Sequence, residues 1–265
     1  MGVVNVTPDS FSDGGMWFTP ASAVAHGMDL LAQGADILDV GGESTRPGAD
    51  RPDQEEELRR VIPVIRELSR AGARVSVDTM RASVAARAVE AGASIVNDVS
   101  GGLADPQMAP AVAAAGGPFV AMHWRGHSDV MQGHASYDDV VADVCQALSE
   151  RVADLCARGV GQDQLILDPG FGFAKLPEHN WSLLAHLDVL KSLGFPVLVG
   201  TSRKSFLGAV GLPAGEELRP PVQRDVGTAA TTVIAGLAGV WGVRVHDVAS
   251  SVDALAVVAA VEAAR

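Results

Sequence analysis

A (β/α)8 barrel is the fold this sequence predicts, and three observations predict it. A short β-branched apolar run recurs about eight times along the 265 residues. Each run stops at a small residue and passes directly into Asp, Asn, Ser, Arg or His. Helix-patterned segments separate the runs. Strands of a parallel sheet are buried on both faces, so they read as continuous apolar stretches. A closed parallel barrel gathers its chemistry at the C-terminal ends of those strands.

The runs are GVVNVT (residues 2–7), ILDVGGES (37–44), VSVDT (75–79), IVNDVS (95–100), FVAMHW (119–124), LILDPG (165–170), VLVGTSRKS (197–205) and VRVHDV (243–248). Between them the spacing predicts helices over 20–34, 53–71, 81–92, 106–116, 137–158, 180–193, 225–239 and 251–264. The second is the clearest: Leu58, Val61, Ile62, Ile65 and Leu68 share one face. Asp53 followed by Glu56 has the form of a capping box, Gly72 suits the stop, and Pro63 is expected to kink the helix. A doubly wound sheet is the alternative, but it calls for fewer repeats. No linker or charge block divides residues 1–265, so one domain is expected. The loops over 7–19 and 41–51, rich in Gly, Ser, Pro and Asp, have the composition of lids over a barrel mouth.

Composition narrows the function. The chain is 48% hydrophobic and 20% charged, with a formal net charge of −12. That balance argues against a nucleic-acid or anionic-membrane partner, which needs a basic footprint. Two cysteines, Cys145 and Cys156, are too few for a disulfide framework and read as reduced thiols. No basic leader precedes an apolar segment, and no apolar stretch approaches the ~18 residues of a membrane span. A cytoplasmic protein is expected.

The strand ends supply Asn5, Asp39, Asp78, Asn97, Asp168, Lys204, Arg244 and His246. Any one of them could be a turn cap or a solvated charge. Eight converging on one mouth point to a binding site, because buried polar groups need partners. Asp78, Asn97 and Asp168 suit a flat heterocycle with amino and lactam edges. Asn5, Arg244 and His246 come from the first and last strands, neighbours in a closed barrel, and suit a diphosphate. The start of the last helix near Ser250 and Ser251 is expected to add backbone N–H groups. Ser202, Arg203 and Lys204 lie between the two subsites.

Other motifs fail. GFGFAK (170–175) lacks the third glycine of a dinucleotide fingerprint, GTSRKS lacks P-loop spacing, and Ser202 has no nucleophile elbow. His123, His127 and His134 lack zinc-site spacing. His123 is read as structural, and Trp17, Trp124, Trp181 and Trp241 as packing residues or rims of the mouth.

Taken together, the strings resemble the dihydropteroate synthase family of pterin-binding barrels. The matching strings are NVTPDSFSDGG (5–15), DVGGESTRPGA (39–49), SVDT, NDVSGG (97–102), LDPGFGFAK (167–175), GTSRKSFLG (200–208) and RVHDV (244–248), in family order across nearly the whole chain. The resemblance implies a transferase that condenses 6-hydroxymethyl-7,8-dihydropterin diphosphate with 4-aminobenzoate, giving 7,8-dihydropteroate and diphosphate. It implies pterin contacts at Asp78, Asn97, Asp168 and Lys204. Diphosphate contacts fall at Asn5, Thr45, Arg244 and His246, with Asn5 also reaching an Mg2+ cofactor. The aminobenzoate is placed near Phe11, Arg46, Pro47, Ser202 and Lys204. Met122, Phe173, Gly200 and Val245 complete the substrate-binding set. Asp13, Arg46, Lys204, Arg244 and His246 are the expected catalytic residues. Sulfonamide inhibition and a homodimer are also implied.

An aryl amine is nucleophilic without a strong base, so the harder step is expelling diphosphate. An SN1-like ionisation is expected, with Asp13 stabilising the cation or accepting the amine proton. Thr201, where Met or Ala is usual, and Ala174, where Gly is usual, are the departures beside the pocket. The rivals are a methyltetrahydrofolate-binding methyltransferase barrel, which needs no diphosphate site, and a non-catalytic paralogue, in which STRP or SRK would be eroded.

Overall fold

The computed structural model of the chain describes residues 1–7, 19–43, 51–126, 135–213 and 215–265. Strands and helices alternate as β1 (Gly2–Asn5), α1 (Pro20–Ala32), β2 (Leu38–Gly41), α2 (Gln54–Arg70), β3 (Val75–Asp78), α3 (Ala82–Glu90), β4 (Ile95–Asp98), α4 (Met108–Ala115), β5 (Phe119–Met122) and α5 (Val140–Ala157). They continue as β6 (Leu165–Asp168), α6 (Pro177–Ala185), α7 (Leu187–Lys191), β7 (Leu198–Val199), α8 (Ser205–Gly208), α9 (Asp225–Leu237), β8 (Gly242–Val243) and α10 (Val248–Ala263).

β1 to β6 form one parallel sheet in sequence order, and β7 pairs with β8. Two parallel bridges, Leu167 with Val197 and Gly2 with Val245, join the pieces at both seams. At the first seam Leu167 N–H donates to Pro196 O at 2.8 Å; at the second Val245 N–H donates to Met1 O at 2.9 Å and Val3 N–H to Val245 O at 3.1 Å. The sheet therefore closes on itself as a (β/α)8 barrel, with β1 beside β8.

The two-residue period of each strand sorts the apolar side chains into two cores. Ile37, Ile95, Val120, Ile166 and Leu198, with Met1 against them, fill the barrel interior. Their alternates, such as Val4, Val40, Val77, Phe119, Leu167, Val199 and Val245, pack outward against the helices. Inward positions one step further along each strand then become the mouth.

Local chemistry sets the helix ends. Asp53 Oδ1 accepts from Glu56 N–H at 2.8 Å, but the Glu56 carboxylate turns to Arg60 Nε at 2.7 Å, so only half of the expected capping box forms. α2 runs unbroken through Pro63. The helix predicted over 180–193 starts earlier, with Pro177 at its first position, and breaks at His186. His186 leaves helical dihedrals, and its Nδ1 lies 2.8 Å from the Ser182 carbonyl, taking the place of the missing backbone donor. Cys145 and Cys156 are free and half-buried in α5. Among the described residues no helix is long and apolar enough to cross a membrane.

Candidate active site

Alternation along the strands turns Asn5, Asp39, Gly41, Asp78, Asn97, Met122 and Asp168 toward the barrel axis. Register stacks them: Asn5 sits beside Gly41, Gly41 beside Asp78, Asp78 beside Asn97, and Met122 beside Asp168. Gly200, Ser202, Arg244 and His246 extend the last two strands on the same inward alternation. A Cβ on Gly41 would lie 3.7 Å from Asp78 Oδ2, and one on Gly200 would lie 3.7 Å from Asp168 Oδ2. These two glycines leave open the space that Asp78 and Asp168 face.

Arg244 is the hub of the mouth. Its Nε donates to Asp39 Oδ2 at 2.6 Å and its Nη2 to Asp78 Oδ2 at 2.8 Å, while Asn97 Nδ2 donates to the same Asp39 oxygen at 3.0 Å. The separate ring and diphosphate subsites expected from sequence are therefore one connected network. Asp39, a strand-end residue that the sequence places in neither subsite, is 0% exposed and supports both. One guanidinium between two buried carboxylates leaves a negative charge uncompensated. Burial, reinforced by Asp39 and only partly opposed by Arg244, pushes the Asp78 carboxyl up to about 7. Burial also lowers Lys204, to about 8. Arg244 is pulled down by burial, but Asp39 and Asp78 more than offset this and hold it above its ordinary value. Asp168 is raised by burial, opposed by the Gly170 N–H that it accepts at 2.7 Å.

The third side is built by the segment after β6. Gly170 and Gly172 have φ of +71° and +75°, left-handed values that favour glycine. A side chain at Gly170 would also strike His123 O at 2.6 Å. The turn brings Phe173 over Lys204, whose Nζ lies 3.9 Å from the ring centroid. Lys175 folds underneath and is buried beside His123. Its sequence context, a loop lysine after glycines, gave no signal of this.

Ser202 lies against His246, with Oγ 2.9 Å from Nδ1 and accepting from His246 N–H at 3.1 Å. It fixes the imidazole as well as lining the mouth. Two expectations are corrected, and Arg203 takes on a bracing contact that its sequence does not announce. Val245 alternates to the outer core, and its backbone closes the barrel, so its side chain is not in the mouth. Arg203, at φ +58°, pairs with Asp225, with Nε to Oδ1 at 2.8 Å and Nη2 to Oδ2 at 2.9 Å, and so braces α9. Ser250 N–H is occupied by Asp247 Oδ1 at 3.2 Å, and Ser251 Oγ donates to Asp247 O at 2.7 Å. The carboxylate capping α10 takes the place there that an anion was expected to fill. Thr201, one of the two departures, is buried and lies 2.7 Å from Thr231 Oγ1. Phe11, Asp13, Thr45, Arg46 and Pro47, with His127 and His134, fall outside the described residues. Glu43, which leads into that second stretch, is held by Arg51 Nε at 2.9 Å and Arg81 Nη1 at 3.0 Å.

Among the described residues no three His, Cys, Asp or Glu side chains converge as a metal site. A barrel mouth that sets buried carboxylates and an amide beside Arg, Lys and His fits a polar heterocycle carrying an anion. Consistent with that, the family model for pterin binding enzymes matches residues 1–246. The chain is 53% identical to the dihydropteroate synthase of Mycobacterium leprae over 98% of this chain and 92% of that protein. The Yersinia pestis dihydropteroate synthase, solved with a sulfonamide drug complex, superposes with a TM-score of 0.93 at 41% identity, covering 99% of this chain and 94% of that one. The Xanthomonas albilineans enzyme in complex with 7,8-dihydropteroate gives 0.86 at 46% identity, covering 99% and 93%. The chain belongs to the dihydropteroate synthase family.

Proposed function

We propose that this protein is a transferase that joins 6-hydroxymethyl-7,8-dihydropterin diphosphate to 4-aminobenzoate, releasing diphosphate and 7,8-dihydropteroate. The observation that carries the reading is the Asp39–Arg244–Asp78 network, which sets acceptors for a pterin edge and a cation for its leaving group in one mouth. The X. albilineans relative is solved in complex with 7,8-dihydropteroate, the product of this condensation, and the Y. pestis relative with a sulfonamide drug complex.

In this reading Asp168, Asp78 and Asn97 hold the amino and lactam edges of the ring. The C–O bond between the pterin methylene and the diphosphate breaks with its electron pair leaving on oxygen. Arg244 and His246 draw that charge, and Ser202 keeps the imidazole in place. Lys204, beneath Phe173, lies between the ring and the incoming amine. The amine nitrogen forms the new C–N bond and loses one proton, for which Asp13 is the acceptor that the resemblance supplies. Phe11, Thr45, Arg46 and Pro47 belong to the same reading.

The Asn5 amide has no hydrogen-bond partner among the described residues, and no acidic cluster accompanies it. One hard oxygen donor fits an Mg2+ that arrives on a diphosphate, since that ion is usually held by substrate oxygens plus one or two protein groups. Asn5 would hold it, and its chemistry would be to neutralise the leaving group. Exposed apolar side chains on α9 and α10, including Ile234, Leu237, Val257 and Val261, support a homodimer, and the unpaired cysteines a cytoplasmic location.

The test is diphosphate release that depends on 4-aminobenzoate and is inhibited by a sulfonamide. Release without the amine, or methyl transfer from a folate, would overturn the reading.

A further inference from the structure

The Lys175 side chain is 4% exposed, yet it is not among the groups that face the open mouth. A buried ammonium is costly unless each of its three donors is met. Here all three are: Nζ lies 3.0 Å from His123 Nδ1, and donates to Gly170 O at 3.1 Å and to Phe173 O at 3.2 Å. His123 follows the inward-facing Met122, so its ring turns away from the barrel axis. The His123 backbone N–H donates to Asp168 O at 2.8 Å, which anchors the residue to β6. The Lys175 ammonium therefore ties the end of β5 to both ends of the turn that carries Phe173.

A second stitch runs alongside. Ala174 sits at φ +47°, a left-handed value unfavourable for a residue with a Cβ. Its carbonyl accepts from Tyr137 Oη at 3.0 Å, across from the stretch before α5. The strain at Ala174 persists because both sides of it are held. On the open side, the same turn lays Phe173 against Lys204 at 3.9 Å.

We infer that Lys175, acting through His123 and the Gly170 and Phe173 carbonyls, is a positioning residue that sets the Phe173–Lys204 wall against which 4-aminobenzoate docks. This rests on the function proposed above. The Asp168 backbone is fixed by its strand and only its carboxylate touches the turn, through Gly170 N–H, whereas Phe173 sits wholly in the turn, so loosening the turn acts on the aminobenzoate more than on the pterin.

The experiment compares Lys175→Met, His123→Leu and His123→Asn with the parent, measuring kcat and both KM values alongside thermal unfolding. Asn keeps an acceptor near the position of Nδ1; Leu does not. We expect Lys175→Met and His123→Leu to raise the KM for 4-aminobenzoate about tenfold, with the pterin diphosphate KM and kcat moving less than about threefold, and His123→Asn to restore most of the loss. An active parent whose variants unfold earlier but keep the aminobenzoate KM, or lose the pterin KM instead, overturns the inference and leaves the proposed function standing. An inactive parent overturns both. Should Lys175→Met fail to fold, the contrast between Leu and Asn at 123 decides by the same constants.

Discussion

The two sides of the barrel mouth hold their cations by different means. On the β2–β3–β8 side, Arg244 is met by two carboxylates, 2.6 and 2.8 Å away. On the β5–β6 side, Lys175 is met by two carbonyls and an imidazole. Arg244 is half-buried and Lys175 buried, but only Arg244 is in direct contact with carboxylates; Asp168 acts on Lys175 without touching it. Arg244 stays cationic at every accessible pH. Burial lowers Lys175 to about 7, and it drives His123 far down so that the imidazole remains neutral. A permanently charged clamp suits a leaving anion, and a brace that needs only donors and acceptors suits the shaping of a wall. The difference teaches that a buried cation is defined by its partners more than by its residue type.

The largest test of the clamp is Arg244→Met. It removes the leaving-group cation and strands Asp39 and Asp78 as buried anions, so kcat/KM should fall by roughly 1000-fold and stability by about 3–5 kcal/mol. A fall of less than tenfold would place the leaving-group charge elsewhere. Next, Asp168→Asn should weaken pterin diphosphate binding by about 2–3 kcal/mol, because a ring N–H loses its anionic acceptor. Calorimetry showing unchanged affinity would detach the ring from β6.

Asp78→Asn probes the uncompensated charge. The folded-state pKa of about 7 lies above the ordinary carboxylate value, so the native state binds a proton that the unfolded chain has released. Stability therefore falls as pH rises from about 4 to 7, and the whole penalty is present above that window. The Asn variant, free of substrate, should be more stable than the parent at pH 8 by about 1–2 kcal/mol and equal to it near pH 4, by urea unfolding. A variant that is less stable at pH 8 would mean that the Arg244–Asp78 pair repays its own burial. Smallest is Ser202→Ala, which frees the imidazole of His246 without removing it. About 1 kcal/mol off kcat/KM is expected, with pterin affinity unchanged.

Much of this is legible in the sequence. The strand runs and the polar residues ending them follow from one recurrence, and the neighbouring first and last strands follow from the closed barrel it implies. The two-residue period of a strand could have excluded Val245, since Arg244 and His246 on either side of it both point inward. Asp247, three residues before Ser250, is an N-cap spacing that already claims the Ser250 N–H. Other features could not be read. Asp39 and Arg244 are 205 residues apart, and nothing local states that they touch. Lys175 looks like any loop lysine until the glycine turn folds it inward. Arg203 lies in the SRK string at φ +58°, and neither that value nor its pairing with Asp225 in α9 is advertised by its sequence.

One oxygen joins the two halves of the substrate site. Asp39 Oδ2 accepts from Asn97 on the ring side and from Arg244 on the leaving-group side. A compound that engages either donor shifts the electron density and position of an acceptor on which the other depends. Fragments designed separately for the heterocycle pocket and the anion pocket, then linked, should therefore bind with a free energy that departs from the sum of their parts. Medicinal chemistry on this mouth is better served by optimising whole ligands than by assembling independently ranked pieces.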